Sequence, residues 1–337
     1  MSKPVLRNTF RGLVAAACAA SALSWAQGQG PAKRPLLPDG YPAKPIRVIC
    51  SSAAGAGLDI TTRAVIAKMA ERIGQTLIVD NQGGGTGAIG INLAAAATPD
   101  GYTLLSTGNT TIINAVFNRF ERDMRQTLTP VARMNSAYYF LIAQSTLPVK
   151  TIREFVAYAK ANPGKLNFGS NGVGSPIHLG LELINLGYGI NMIHVPYKGG
   201  AQANIDFVGG RLDVALTAVS GMGPVRAGKA WILATSSLQR HPEHPDIPTL
   251  AESGIPGYDV NNTYMLYAPV QTPANIVAAL NKEAIDALRA PDLKAKLSAD
   301  GSVVAPPYTP EELKKLFVAE YERWDGVIKK TGIRLEE

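Results

Sequence analysis

Short β-branched runs and longer stretches with helical spacing alternate along this chain. Ile46–Cys50, 76–80 and 102–106 read as strands, while Ile66, Met69, Ala70 and Ile73 recur at helical intervals with Gly74 as a stop. That alternation predicts a mostly parallel sheet covered by helices on both faces. A longer apolar run at 137–143 follows, and then Thr151 and Glu154 stand at capping-box spacing ahead of a helix that Pro163 ends. Runs at 165–169, 192–195, 212–216 and 231–235 predict the strands of a second sheet. Thr272 and Thr309 each precede a proline, the arrangement of an N-cap followed by proline at the first helical position, and Glu312 completes a second capping box. Leu313, Leu316, Phe317, Trp324 and Ile328 then share one apolar face of a final helix.

The start of the chain has a different character. Lys3, Arg7 and Arg11 precede an apolar stretch at 12–25, and Ser24-Trp25-Ala26 is similar to a small-residue cleavage site, so residues 1–26 read as an export signal. The apolar stretch falls short of the about 20 residues needed to span a bilayer. Cys18 raises the alternative of a lipoprotein, although Ala15, Ala16 and Ala17 match a lipidation site poorly. Residues 27–41, with Pro31, Pro35 and Pro38, read as a stiff linker. Removing the leader leaves about 311 of 337 residues, more than one core usually serves, and predicts two domains. The leader also carries three of the seven net positive charges, and the remainder is scattered, which argues against nucleic acid or an anionic membrane as a partner. Cys50 then stands as the single remaining cysteine, so an intramolecular disulfide is excluded from the mature chain.

Two strand-to-helix loops built from small residues are candidates for chemistry. The first runs through Ser51, Ser52, Ala53, Ala54, Gly55, Ala56 and Gly57 to Asp59; the second through Ser170, Asn171, Gly172, Val173, Gly174 and Ser175 to Pro176. Amide groups at a helix start lack acceptors within the helix, and the dipole favours negative charge, so each loop could form half of a carboxylate site. Each could equally be an ordinary turn with Ser175 as a cap. Thr107, Asn109 and Thr110 follow the third predicted strand and could add polar contacts on the same rim. Asp59 would repel an anion directly, so a role for it runs through bridging water or a ligand ammonium group, and its first-turn position suits the dipole without any such role. Gly85, Gly87 and Gly90 form a literal G-x-G-x-x-G, but the next strand ends at Ser106-Thr107-Gly108-Asn109 without the acidic residue that a dinucleotide ribose would want. A serine-hydrolase elbow, a zinc-protease helix motif and a complete phosphate-binding P-loop are all missing from the sequence. His178 and His194 read as scaffold residues, and His241 and His244 lack the companions of a metal site. No catalytic residue, metal or cofactor is therefore expected.

The runs Tyr41–Arg47, Val79–Asn81, Pro99–Leu105, Gly169–Leu179, His194–Gly200, Gly210–Val214, Arg226–Lys229 and Pro248–Gly254, in this order, closely resemble the Bug family. These are periplasmic substrate-binding receptors of tripartite tricarboxylate transporters. The resemblance implies a two-domain type II periplasmic-binding-protein fold of the α/β class, with a ligand cleft between domains joined by two crossing strands. It implies domain boundaries at 42–134 with 263–337, and at 135–262. It further implies capture of a small organic carboxylate by hinge closure, delivery to inner-membrane transporter subunits, and a periplasmic location reached through the leader. The alternatives are a sensory or scavenging carboxylate-binding protein without a dedicated transporter, and a periplasmic hydrolase or lyase. The chain carries no oligomerisation signal, so a monomer is the default.

Carried over by motif, the ligand-binding residues are Ser51, Ser52, Ala54, Gly55, Ala56 and Asp59 in the first loop, Thr107 and Asn109 on the rim, and Ser170, Asn171, Gly174 and Ser175 in the second. The family usually has proline, an aromatic residue and Pro-Gly-Gly in the first loop, where this chain has Ser51, Ser52, Ala54, Gly55 and Ala56. Gln82-Gly83 replaces a usual Arg-Pro, and Thr263-Tyr264-Met265 a common Trp-x-Gly. These departures predict a wider, wetter pocket for a ligand bulkier or more polar than small diacids.

Overall fold

Strands β1 (Ile46–Cys50), β2 (Leu77–Asn81) and β3 (Thr103–Gly108) lie parallel and in matched register, with Cys50 opposite both Asn81 and Ser106. All three therefore end at one rim. The computed structural model from which this is read describes residues 36–37, 39–84, 87–117, 123–197, 200–241, 244–299 and 302–334. The leader, Cys18 and Pro31, Pro35 and Pro38 of the linker lie outside the described residues. Helix α1 (Gly57–Ile73) follows β1, α2 (Ala88–Ala95) follows β2, and α3 (Asn109–Val116) follows β3. The stop at Gly74 is real: its φ of 68° is the left-handed geometry that glycine adopts without strain, and its N–H returns to the Ala70 carbonyl.

A one-turn helix, α4 (Met124–Thr127), leads into β4 (Leu128–Tyr138). The apolar run at 137–143 is divided: β4 ends in the first sheet at Tyr138, and β5 (Phe140–Gln144) begins the second, with Tyr139 alone between them. The second sheet continues through α5 (Ile152–Ala161), β6 (Asn167–Ser170), α6 (Pro176–Tyr188), β7 (Ile193–Pro196), α7 (Gly200–Val208), β8 (Val214–Thr217), α8 (Gly223–Arg226) and β9 (Ala230–Thr235). Its order is β7-β6-β8-β5-β9. The chain returns to the first sheet in β10 (Asn261–Pro269), then forms α9 (Ala274–Leu288), α10 (Pro291–Ala299), β11 (Ser302–Val304) and α11 (Pro310–Thr331). The first sheet has the order β11-β4-β10-β3-β1-β2. The expectation of mostly parallel sheets holds for β1 to β3 and for β6 to β8. The strands on or next to the crossings, β4, β5 and β10, pair antiparallel with their neighbours.

Both capping boxes form. The Thr151 and Thr309 hydroxyls accept from the amides of Glu154 and Glu312, whose carboxylates return to the backbone N–H of the cap. Thr272 behaves differently from expectation. Helix α9 starts at Ala274 with Pro273 as its cap residue, and the Thr272 N–H instead donates to the Pro269 carbonyl in a turn. The Thr272 hydroxyl caps nothing.

Two crossings join the sheets, and Ser236 ties them together. Its Oγ accepts from the Tyr139 N–H at 2.8 Å and donates to the Val260 carbonyl at 2.5 Å. Its own N–H donates to the Tyr139 carbonyl, and its carbonyl accepts from the Val260 N–H. Helix α11 packs across β4, α3 and α6, so its apolar face, with Trp324 fully buried, braces both halves. Replacing Ser236 by alanine leaves a buried donor and a buried acceptor without their hydroxyl partner. Urea unfolding of Ser236→Ala should show stability lower by about 2–4 kcal/mol. A loss below about 0.5 kcal/mol would show that the clip contributes nothing beyond an ordinary surface contact.

Candidate functional site

The first turns of α1, α2 and α3 open onto a cleft of about 620 Å³. Its walls are Ser51, Ser52, Ala53, Ala56, Gly57 and Leu58 from the first loop and α1, Gly83, Gly84 and Gly87 from the glycine run, and Gly108, Thr110 and Thr111 from the start of α3. Asn171 joins them from the second sheet, and Asn262 and Tyr264 from β10. No described lining residue is Lys, Arg, Asp or Glu. The three helices share a second property. Ala56, Gly87 and Gly108 are their cap residues, and none makes a side-chain cap hydrogen bond. Gly57 and Leu58 of α1, Gly87 before α2 and Gly108, Thr110 and Thr111 at the start of α3 line the cleft, and these helix starts lack the capping hydroxyl that α5, α6 and α11 have.

Asp59 holds the first loop in shape. The carboxylate is buried, 2% exposed, and accepts from the Gly55 N–H at 2.8 Å, from Asn81 Nδ2 at 2.8 Å and from Arg63 Nε at 2.9 Å. Burial pushes its pKa up, but the hydrogen bonds from Gly55, Asn81 and Arg63 outweigh this and hold the carboxyl below its usual range. Asn81 Nδ2 also donates to the Ser52 carbonyl at 3.1 Å. On the neighbouring side, close approach requires a glycine. A Cβ on Gly83 would stand 2.9 Å from the Ala53 nitrogen and 3.0 Å from the Ser52 carbonyl carbon. The glycine run thus packs directly on the first loop, and Gly87, at φ 100°, starts α2 where a Cβ would meet Thr111 Oγ1 at 2.8 Å.

The rim hydroxyls form a relay. Ser51 Oγ donates to Thr107 Oγ1 at 2.7 Å, and Thr107 donates to Thr111 Oγ1 at 2.7 Å, which leaves the Thr111 hydroxyl hydrogen for the cleft. Thr107 itself is buried beneath the surface. Asn109 is also buried and points away, with Nδ2 donating to the Asn261 carbonyl on the returning crossing. The structure therefore brings Ser51, Ser52, Ala56 and Asn171 to the cleft wall and sets Asp59, Thr107 and Asn109 behind it as supports. Ala54 and Gly55 are exposed on the first loop but lie outside the wall. Gly57, the glycine run, Asn262 and Tyr264 join the wall without having been selected as ligand contacts. Tyr264 sits opposite Gly108 on β10, an antiparallel pairing that no local motif announces.

The second loop is largely satisfied by itself. Ser175 Oγ caps α6 by accepting from the His178 N–H, and Ser170 Oγ accepts from the Gly172 N–H. Beneath it His178 and His194 stack with ring centroids 3.7 Å apart, and Phe168 stacks on His194. His178 Nδ1 accepts from the Gly174 N–H at 3.1 Å, and His194 Nε2 lies 2.7 Å from Ser170 Oγ, so this pair supports both ends of the loop. Burial, then the neighbouring His194, pushes the His178 pKa down to about 3, and burial pushes that of His194 down to about 4. The 3.9 Å approach of His178 Nε2 to Glu182 is accordingly a contact with a neutral imidazole.

A pH dependence follows. When unfolded, these rings take up protons near the ordinary value of 6.5; when folded, they do so only near 3 and 4. The unfolded chain thus binds more protons below about 6.5, and folding stability falls as the pH drops through that value toward the folded values. For His178 alone the loss at pH 5 should be about 2 kcal/mol relative to pH 7 or above. Denaturant unfolding across this range should show the decline, and His178→Asn should flatten it; an unchanged slope in that variant would contradict the assignment.

The chain is similar to known proteins over most of its length. Residues 61–333 match the family described as the tripartite tricarboxylate transporter family receptor. The protein BugT of Bordetella pertussis is 29% identical over 308 residues, covering 90% of this chain and 94% of its own. The structure of MatC from Rhodopseudomonas palustris with bound malate is similar at 30% identity and a TM-score of 0.71, covering 86% of this chain and 100% of its own. A second R. palustris structure, with adipate, is similar at 28% identity and a TM-score of 0.73, covering 87% and 99%. With most of its length matched, the chain belongs to the tripartite tricarboxylate transporter receptors, the Bug family of solute-binding receptors that its motifs resemble.

Proposed function

We propose that the chain captures a small organic carboxylate in the periplasm by closing its two halves over the cleft, and delivers it unchanged to inner-membrane tripartite tricarboxylate transporter subunits. The observation that carries this reading is the convergence of three uncapped helix starts on one cleft whose described lining has no charged side chain. Each helix contributes about half a positive charge at its start, and its amides donate directly to carboxylate oxygens. Thr111 and Ser52 supply hydroxyls and Asn171 an amide from across the cleft, so closure would bring a second set of donors to the bound acid.

We take the moving bodies as 42–134 with 263–337, and 135–262, with flexing confined to the crossing stretches around Tyr139 and Ser236. The malate and adipate held by the two structural relatives support dicarboxylates as the first ligands to try. The cleft volume of about 620 Å³ and the single aromatic ring in its described wall, Tyr264, support a ligand larger or more polar than the smallest diacids. The basic and apolar leader at 1–26 supports export to the periplasm, where the transporter subunits would meet it.

The test is a thermal-shift screen of protein unfolded and refolded to strip carried-over ligand, run against diacids, tricarboxylates and aromatic acids. A cognate acid at 100 times its Kd should add about 2.7 kcal/mol to stability. Ser52→Trp, which fills the cleft beside the start of α1, should weaken that acid at least about tenfold, equivalent to about 1.4 kcal/mol. Well-folded protein that responds to none of these acids would exclude carboxylate capture.

A further inference from the structure

A second cavity, of about 370 Å³, lies at the junction of the sheets and shares no lining residue with the cleft. Its walls come from β4, from β11 and the segment after it, and from residues 237–241 that follow β9. We propose that it is a second binding site, for a small carboxylate with an apolar body, and this goes beyond the function assigned to the cleft.

Arg133 carries the argument. Its Nη2 donates to Ser136 Oγ at 2.6 Å and to Thr263 Oγ1 at 3.1 Å, both neutral groups, and its Nε is buried with no hydrogen-bond partner. Among the described residues no carboxylate stands within ion-pair distance of it. Asp259 lies within range of its charge with its carboxylate accepting from Asn261 at 3.2 Å, and Glu320, which lines a neighbouring cavity together with Arg133, accepts from Arg323 at 2.7 Å and from Trp324 at 2.8 Å. A half-buried guanidinium bonded only to neutral groups is costly unless an anion comes to it.

The rest of the wall suits such an anion. Arg240 is held by a half-exposed ion pair with Glu252, the kind that rearranges at little cost, and by a hydrogen bond from its Nη1 to the Pro245 carbonyl at 3.0 Å. Tyr138 and Tyr308 bring phenol groups. Val303, 38% exposed, and Leu238, 54% exposed, give an apolar face that an aromatic or short aliphatic body would cover. Two cations and two exposed apolar side chains in one wall select an amphipathic acid over a compact inorganic anion. The volume lies in the range of small-molecule sites.

The test titrates benzoate by calorimetry into the mature Ser52→Trp protein, in which the cleft is obstructed. Binding at one site is expected. Adding Val303→Glu, an exposed change that sets a carboxylate on the rim, should raise the Kd at least about tenfold, and Arg133→Gln should do the same. Inorganic phosphate should compete at least about tenfold less well than benzoate. If Arg133→Gln does not fold, Val303→Glu decides alone. Absence of benzoate binding to Ser52→Trp, binding indifferent to Val303→Glu, or phosphate matching benzoate would each overturn the proposal. Each of these outcomes leaves a response of the wild-type cleft to its own acid unaffected, so the two readings fail separately.

Discussion

The first turn of an α-helix presents amide hydrogens that its own carbonyls cannot reach, and the three helices that follow β1, β2 and β3 begin without a side-chain cap. Strands β1, β2 and β3 are parallel and in register, so the helices that follow them begin at one rim. Small residues at Ala56, Gly87 and Gly108 withhold side-chain caps there, while Thr151, Ser175 and Thr309 provide them elsewhere. Any attraction of the cleft for an anion would therefore come from backbone and strand order. It needs no arginine or lysine in the wall, and Asp59, the one nearby carboxylate with an obvious motif position, is turned inward to brace the loop.

A cleft of this kind works only if its two walls keep a defined relation while remaining able to move. Ser236 meets the first need by joining both crossings through Tyr139 and Val260, and α11 meets it by packing on elements of both halves. One residue, Tyr139, separates β4 from β5, so any movement between the halves would have to bend the chain there. The stacked His178–His194 pair stiffens the opposing loop from below, and its neutrality ties that stiffness to pH values above the acid range.

Much of the fold was legible because it is local. Hydrophobic spacing located β1 to β3 and β6 to β9 to within a residue or two, though it missed most of β4 and all of β10 and β11; Gly74 closed α1, and both capping boxes formed. The misreadings arose where tertiary structure decides. Nothing in the run 137–143 marks Tyr139 as the point where the chain changes sheets, since no polar or turn-forming residue interrupts it. Thr272 looked like a cap because proline follows it, yet its N–H is already engaged with Pro269, and the helix begins two residues later. Ser51, Ser52, Ala56 and Asn171 reach the cleft from loops that the sequence singles out. Asn262 and Tyr264 reach it only through the antiparallel pairing of β10 with β3, and the glycine run only through its close packing on the first loop. Asp59, Thr107 and Asn109 carry the right chemistry at the right chain positions but face inward, which loop position alone could not reveal.

Motion of the halves is the claim on which the receptor account rests, and it can be measured directly. Spin labels on cysteines introduced at exposed Asn92 and Arg211, with the buried Cys50 replaced by serine, report the separation of the two halves by pulsed electron resonance. Saturation with a cognate carboxylate should shorten and narrow that distance distribution, and Ser52→Trp should abolish the change at the same ligand concentration. A distribution that stays fixed while the acid is demonstrably bound would contradict capture by closure and leave a rigid binding protein in its place.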